Sequence, residues 1–209
     1  MTYKLLIKKL YLDEKRFIER NLIKEYCKKL NLGYYPAIGY LTNHKYLIRI
    51  LRGIFYMPSI EERKLDKLDI NYLDAVNEAL KIKNIKNYYF GLETAIKLNK
   101  LTHEYFVIDY VVSDKIFRAK PVKILGHKIL FVKLKKRLFD FGITKDKIPR
   151  SDIEKTILDI VYLAKYDGLS DNEIKSKIAD LLKFSSKRKL LNYSRKYNGA
   201  VHNFIEGLL

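Results

Sequence analysis

The sequence predicts an α+β protein in two parts that are joined by a helical connector. Short stretches with helical apolar spacing precede a β-hairpin pattern near the N-terminus, and a later region mixes β-branched strands with helices. The charge divides in the same way. Residues 1–60 hold twelve Lys and Arg against four Asp and Glu, and 85–150 hold fifteen against six, whereas 61–84 are close to neutral.

The composition limits the classes of function. The 209 residues carry a formal net charge of +18, which favours a polyanionic partner: nucleic acid first, then an acidic protein or a membrane surface. Lys-rich coding that raises the charge everywhere is the competing explanation. One cysteine and four scattered histidines supply neither a disulfide framework nor a metal-ligand spacing, so no cofactor is expected. Without a signal peptide or an apolar run of about 18 residues, we expect a cytoplasmic protein with no membrane partner.

The first part reads as three helices. "YKLLIKKLYL" has leucines at helical spacing, and Asp13 can cap a second helix over "EKRFIERNLIKEYCKKLNL" that would end at Gly33. Phe17 and Cys27 would lie on its apolar side. A third short helix fits "YYPAIGYLTNHKY", with Pro36 in its first turn. Ile38 and Leu41 would face inward.

A basic hairpin, "YLIRILRGIFYM", follows the third helix directly. Gly53 suits its turn, because a tight turn needs a residue that tolerates positive φ. Helices followed by such a hairpin are the order of a winged helix-turn-helix, so we expect this domain over residues 1–60. A recognition helix would read base edges in the major groove, and an arginine on the wing would meet phosphate. The predicted DNA-binding residues are Tyr34, Tyr35, Tyr40, Asn43, His44, Lys45, Arg49 and Arg52.

Structural explanations compete with each of these assignments. The hairpin could be a solvated edge whose charges discourage aggregation. Tyr40 and Tyr46 could be core aromatics, and Asn43 could cap the third helix.

The second part, residues 85–209, mixes strands and helices after the connector at 61–84. "NYYFGLETAIKLNKL" starts with aromatics and becomes a helix from about Gly91, and "EYFVIDYVVS" reads as a strand. Two strands turn near Gly126, and Ser151 with Glu154 forms a capping-box pattern before a helix that Gly168 ends. Ser170 and Glu173 repeat that start, and one last helix fits "KRKLLNYSRKYNGAVHNFIEGLL".

Three segments together resemble the AbiEi-type antitoxins of type IV abortive-infection systems. "YLIRILRGIFYM" is similar to the wing of that family, with its "R-x-x-R-G" element. "YYFGLETAIKLNKL" is similar to the family's aromatic-glycine start of a helix, and "IPRSDIEKTILDIVY" to its "S-x-x-R/K-T-ϕ-ϕ-D" helix, where ϕ is apolar. The chain departs from the family in "YLDEKRF", where a "V-F-T/S" pattern is common, and in Lys155, where arginine is common.

The resemblance implies a transcriptional regulator. Its N-terminal winged helix would bind promoter repeats of double-stranded DNA and repress its own operon. Its C-terminal domain would counteract a partner toxin of nucleotidyltransferase type. A stand-alone DNA-binding regulator and a protein-docking module are the alternatives.

An enzyme is the less favoured interpretation. Asp109 and Asp114 do not form the acidic pair that a metal-dependent nuclease or nucleotidyltransferase needs. Asp159 is expected to hold a local hydrogen bond or ion pair, either with Lys155 or with an arginine elsewhere in the chain. A second basic patch is predicted as a phosphate contact or as a docking surface for an acidic partner, and it consists of Lys133, Lys135, Lys136 and Arg137.

Overall fold

Helices and two separate β-sheets alternate along the chain, so the protein is mixed α+β, as the sequence predicts. The structure, a computed structural model, describes residues 3–144 and 146–209. It divides into a first unit, Met1–Asn84 with Ile124–Gly126, and a second unit, Ile85–Lys123 with His127–Leu209. No helix in the described part of the chain is both long and apolar enough to span a bilayer.

The first unit surrounds a three-stranded antiparallel sheet of order β1-β3-β2. Its buried core includes Leu6, Leu10, Ile23, Cys27 and Leu41, each at most 1% exposed. The elements are α1 (Tyr3–Leu12), β1 (Phe17–Glu19), α2 (Arg20–Lys29), α3 (Tyr34–Asn43), β2 (Ile48–Leu51), β3 (Ile54–Tyr56), α4 (Ile60–Lys64) and α5 (Tyr72–Ile82).

The second helix is shorter than predicted. Phe17, expected on its apolar side, lies in β1 opposite Tyr56 of β3, and α2 begins only at Arg20. Asp13 therefore does not cap it; its carboxylate accepts hydrogen bonds from the Tyr26 hydroxyl at 2.8 and 2.9 Å. The expected end at Gly33 is also wrong, because α2 ends at Lys29 and Gly33 precedes the first turn of α3.

Residues 61–84, which were expected to be a connector, belong to the first unit instead. They contain all but the first residue of α4 and the whole of α5. Glu62 of α4 is 1% exposed, and its carboxylate accepts from the Tyr56 hydroxyl at 2.7 Å and from Arg16 at 2.9 Å. Backbone N–H groups of Ser59 and Asp69 donate to it at 2.7 Å each. Burial alone would raise the pKa of Glu62, but these four donors outweigh it and lower that pKa. Burial and the hydrogen bond to Glu62 raise the pKa of Tyr56 to about 12.

The second unit combines a four-stranded sheet of order β4-β5-β7-β6 with helices. β4 and β5 are antiparallel, whereas β5 and β7 are parallel. The elements are β4 (Tyr88–Phe90), α6 (Leu92–Leu98), β5 (Ile108–Ser113), β6 (Val122–Ile124), β7 (His127–Lys133), a 3-10 helix (Lys136–Phe139), α7 (Ile153–Tyr166), α8 (Asp171–Leu182), α9 (Lys187–Ser194) and α10 (Gly199–Glu206).

Two expectations for the C-terminal helices are wrong. The cap of α7 is Asp152, whose side chain accepts from the Lys155 N–H, while Ser151 is buried against the Thr156 hydroxyl at 2.7 Å. The predicted last helix is two helices, because Asn198 starts α10 with a side-chain cap after α9 has ended. The capping box of Ser170 and Glu173 at the start of α8 is present.

Candidate nucleic-acid interface

Helix α3 buries one side and leaves the other open. Ile38 and Leu41 are 7% and 0% exposed, as expected, whereas Tyr35 is 77% exposed and Asn43 is exposed. A Cβ added at Gly39 would meet nothing within 4 Å. Because residues four apart neighbour each other on a helix, Tyr35, Gly39 and Asn43 define one accessible face.

The aromatic residues beyond this face pack on one another. The Tyr40 ring stacks on Tyr3 at a centroid distance of 4.6 Å and on His44 at 4.1 Å, so Tyr40 is half-buried. The His44 ring nitrogen Nδ1 donates to the Tyr40 carbonyl at 2.9 Å, which leaves Nε2 for another partner. Of these two predicted readers, His44 is exposed and Tyr40 contributes mainly to packing.

The start of α3 is surrounded by cations. Tyr34 is half-buried, and its ring lies under the Arg20 guanidinium at 5.2 Å and near the Lys24 ammonium at 5.7 Å. Tyr34 and Tyr35 meet edge to face at 5.2 Å. The tyrosine hydroxyls and the first N–H groups of α3 thus share this end of the helix with two positive charges.

The hairpin turns at Arg52 and Gly53, as predicted, and Gly53 has φ +83°. Arg52 is exposed at this tip. Arg49 is exposed on β2, with its guanidinium 5.7 Å from the Phe55 ring opposite it. Lys45, at the other end of the hairpin, pairs with Asp66 at 2.8 Å, so part of its charge is already compensated.

Two cations beside the hairpin tip were not predicted. Arg20, Arg52 and Lys83 line one depression around Gly53. The Arg20 N–H donates to the Gly53 carbonyl at 2.8 Å, while its side-chain Nε is buried with no partner among the described residues. Arg20 reaches this place only because β1 pairs with β3, a contact between residues more than 30 positions apart that no local pattern signals.

The second basic patch follows β7. Lys133 ends that strand, and Lys135, Lys136 and Arg137 lead into the 3-10 helix. All four side chains are exposed, and none forms an ion pair with another described residue. The patch belongs to the second unit, so the structure gives each unit its own basic surface.

Asp109 and Asp114, the two carboxylates considered for metal chemistry, each hold a hydrogen bond within the protein. Asp109 accepts from the Thr94 hydroxyl at 3.2 Å and pairs with Lys97. Asp114 accepts from the Asn87 side chain at 2.7 Å. Within residues 3–144 and 146–209, no three His, Cys, Asp or Glu side chains are placed to share a metal ion.

Asp159 and Lys155 form a fully buried pair at 3.2 Å, which confirms the expected ion pair. Asp159 also accepts from the hydroxyls of Tyr89 at 2.6 Å and Tyr197 at 2.7 Å. The Lys155 ammonium lies within 5.5 Å of the rings of Tyr89, Phe141 and Tyr197. Burial lowers the pKa of Lys155 against the opposing charge of Asp159, and burial raises the pKa of both tyrosines well above the usual value.

No family model and no curated protein matches the chain. Among solved structures, it is similar to the crystal structure of the RV2827C protein from Mycobacterium tuberculosis. The two share 12% identity with a TM-score of 0.59, over 100% of this chain and 76% of that chain. At this identity the likeness establishes the fold alone, an α+β arrangement over the full length of the chain.

Proposed function

We propose that the protein binds double-stranded DNA in a sequence-specific manner through its first unit, which acts as a winged helix-turn-helix. In this proposal α2 and α3 form the helix-turn-helix, and the β2–β3 hairpin is the wing. The observation that carries it is the open face of α3 at Tyr35, Gly39 and Asn43 beside a hairpin tipped by Arg52. A helix fits the major groove only where such a face is free of covering side chains.

The charge around the hairpin tip supports the same proposal. Arg20, Arg52 and Lys83 would hold the phosphate backbone, because phosphate contacts position a protein on the duplex. The exposed Asn43 and His44 would provide base contacts at the end of α3. Tyr40 would act indirectly by holding His44 in its stack.

The resemblance to AbiEi-type antitoxins leads to a narrower proposal: a non-catalytic, cytoplasmic autorepressor that also counteracts a nucleotidyltransferase-type toxin. The segments that carry the resemblance occupy defined places. "LRGI" forms the hairpin turn, Gly91 joins β4 to α6, and Lys155 and Asp159 lie buried on α7. A stand-alone regulator remains the second candidate function, because the wing and the α3 face serve it equally well.

Binding to a labelled DNA fragment from directly upstream of the protein's own gene tests the DNA-binding proposal. Arg52→Ala should weaken binding to all sequences and lower the salt slope by about 1, if Arg52 contacts one phosphate. Asn43→Ala should instead reduce the preference for the upstream fragment over a shuffled one, by about 1–3 kcal/mol for a lost bidentate base contact.

Lys29→Ala is the matched control for charge. Lys29 is the last residue of α2, it is 59% exposed, and it pairs with Glu25 at 2.6 Å. This variant should leave the slope within the error of the unmodified protein. Equal effects of Arg52→Ala and Lys29→Ala would assign binding to general charge and remove the wing from the proposal.

Co-expression tests the antitoxin proposal separately. If a nucleotidyltransferase-like reading frame adjoins the gene, its expression alone should arrest growth, and co-expression of this protein should restore it. Arrest without rescue would leave the DNA-binding proposal standing as that of a stand-alone regulator.

A further inference from the structure

Three separate segments of the second unit meet at one end of its sheet, where two strands end and a third begins. β5 and β7 are parallel and end together, with Ser113 opposite Lys133. β4 is antiparallel to β5 and begins at the same end of the sheet, with Tyr88 opposite Ser113. Backbone hydrogen bonds fix the departing chains, since the Leu134 N–H donates to the Ser113 carbonyl at 3.1 Å and the Asp114 N–H to the Asn87 carbonyl at 3.3 Å.

Basic residues from distant parts of the sequence lie together at this end of the sheet. We name it the basic rim; it consists of the exposed cations Lys86, Lys115, Arg118, Lys133, Lys135, Lys136 and Arg137. No member forms an ion pair with another described residue. By contrast, Lys165 and Lys189 of the same unit each hold a carboxylate within 2.9 Å.

The acidic residues near the rim do not neutralise it. Asp114 is engaged by the Asn87 side chain through Oδ2, and its Oδ1 is buried without a hydrogen-bond partner among the described residues. Asp140, just beyond the 3-10 helix, is exposed. Seven cations against these two carboxylates make the rim suited to a ligand with repeated negative charge.

An aromatic ring stands among these cations. Phe117 is 59% exposed, and the exposed Lys115 and Arg118 lie on either side of it in the chain. The Arg118 N–H donates to the Phe131 carbonyl of β7 at 3.0 Å, which ties this segment to the sheet. A single exposed phenylalanine is unremarkable alone. An aromatic surface set in a cationic track is the combination that binds unpaired bases by stacking.

We propose that the basic rim binds single-stranded nucleic acid, with phosphates on its lysines and arginines and one base stacked on Phe117. A duplex suits the rim less well, because its bases already stack on each other and the rim offers loops and a single 3-10 turn rather than a helix for the groove. This site lies in the second unit and does not depend on the proposed function of α3 and the wing.

The test is the anisotropy of fluorescently labelled oligo-dT and oligo-rU strands with the full-length protein over a range of salt concentrations. Phe117→Ala should weaken single-strand binding by about tenfold, the effect of one lost stacked base. Phe184→Ala is the matched control, because Phe184 is a 62% exposed phenylalanine of the same unit outside the rim. Arg118→Gln and Lys135→Gln should each lower the salt slope by about 0.7, the value for one phosphate of a single strand.

Specific outcomes would overturn the proposal. Equal effects of Phe117→Ala and Phe184→Ala would exclude stacking. Equal or tighter binding of a duplex of unrelated sequence, lost in the rim variants, would make the rim a duplex contact. Displacement of the strand by poly-glutamate at the same charge concentration would indicate an acidic protein partner instead. Phe117→Ala should keep its tenfold effect on single-strand binding in an Arg52→Ala background, which separates this site from the wing.

Discussion

Asp159 provides the sharpest test of how the second unit is held together. Its carboxylate is fully buried and satisfies three donors: the Tyr89 hydroxyl, the Tyr197 hydroxyl and the Lys155 ammonium. Asp159→Asn keeps the shape of the side chain but removes its charge and replaces one acceptor atom with a donor. A buried ammonium then lacks its counter-charge, and at least one of its former donors faces an NH₂ group.

The size of the effect follows from these contacts. Removing one partner of a buried ion pair costs about 3–5 kcal/mol, mainly because the remaining charge stays desolvated. The three aromatic rings near Lys155 offset part of this cost, and the misplaced hydroxyl donor adds about 1–3 kcal/mol. We therefore expect Asp159→Asn to lower the free energy of unfolding by about 3–5 kcal/mol, a large share of the 5–15 kcal/mol typical of a native protein.

Urea denaturation followed by circular dichroism measures the loss, and hydrogen exchange locates it. Peptides from β4 and α7 should lose protection, while peptides from α3 in the first unit should not. Asp180→Asn is the control, because Asp180 pairs with Lys183 on an exposed surface at 2.6 Å and should change stability by less than about 0.5 kcal/mol.

A double variant separates charge from packing. Lys155→Met with Asp159→Leu removes both charges at similar volume, and replacing a buried pair in this way is often neutral. Adding Tyr89→Phe and Tyr197→Phe removes the two hydroxyls that would otherwise stay unsatisfied. If Asp159→Asn alone is as stable as the unmodified protein, the pair is not charged when folded and the explanation given for α7 is refuted.

Three other variants or conditions test separate features. Glu62→Gln should lower the free energy of unfolding by about 1–3 kcal/mol, since an amide cannot accept from all four donors. Because the folded pKa of Glu62 is lowered, the stabilisation by its carboxylate is present above the ordinary pKa. Denaturation curves should show this stabilisation fading as the pH falls through the folded pKa. Gly91→Ala should lower stability in thermal denaturation by about 1–3 kcal/mol, because its Cβ would lie 2.8 Å from a Val112 methyl carbon. Gly199→Ala, whose Cβ would meet nothing within 4 Å, should be neutral or stabilising. Changes in stability of the same sign for both variants would contradict the packing argument. Alkaline unfolding should begin above about pH 10, because the pKa values of Tyr89 and Tyr197 are raised in the folded protein and these tyrosines ionise more readily once unfolded. Absorbance at 295 nm should show their ionisation together with the loss of helix. Ionisation of both buried tyrosines without unfolding would contradict this prediction.

The sequence predicted the elements whose signals are local. α1, the Arg52–Gly53 turn and the strand before Ser113 each lie where periodicity or turn chemistry places them. β1 was missed because it has three residues and forms only by pairing Phe17 with Tyr56, far along the chain. Asp152 competed with Ser151 one position away for the cap of α7, and spacing alone could not decide between two good capping residues.

The candidate sites show the same division. The cations on the hairpin itself could be named from sequence because the turn identifies them. Arg20 and Lys83 could not, because sheet pairing and the end of α5 bring them to the tip. Within the basic rim, Lys133 to Arg137 formed a visible run, whereas Lys86 and Lys115 join it only through the parallel pairing of β5 with β7 and the antiparallel start of β4.

Most residues that carry the resemblance to the antitoxin family are needed for packing. Gly91 has no room for a Cβ, and Lys155 and Asp159 are fully buried, so any chain with this second unit would benefit from them whatever it binds. Arg52 differs, because it is exposed at a turn that needs only Gly53 for its geometry. Replacing Arg52 should therefore leave the fold intact, because nothing in the packing depends on its side chain. The effect of Arg52→Ala on DNA binding at unchanged stability is therefore the measurement that separates the proposed function from the fold.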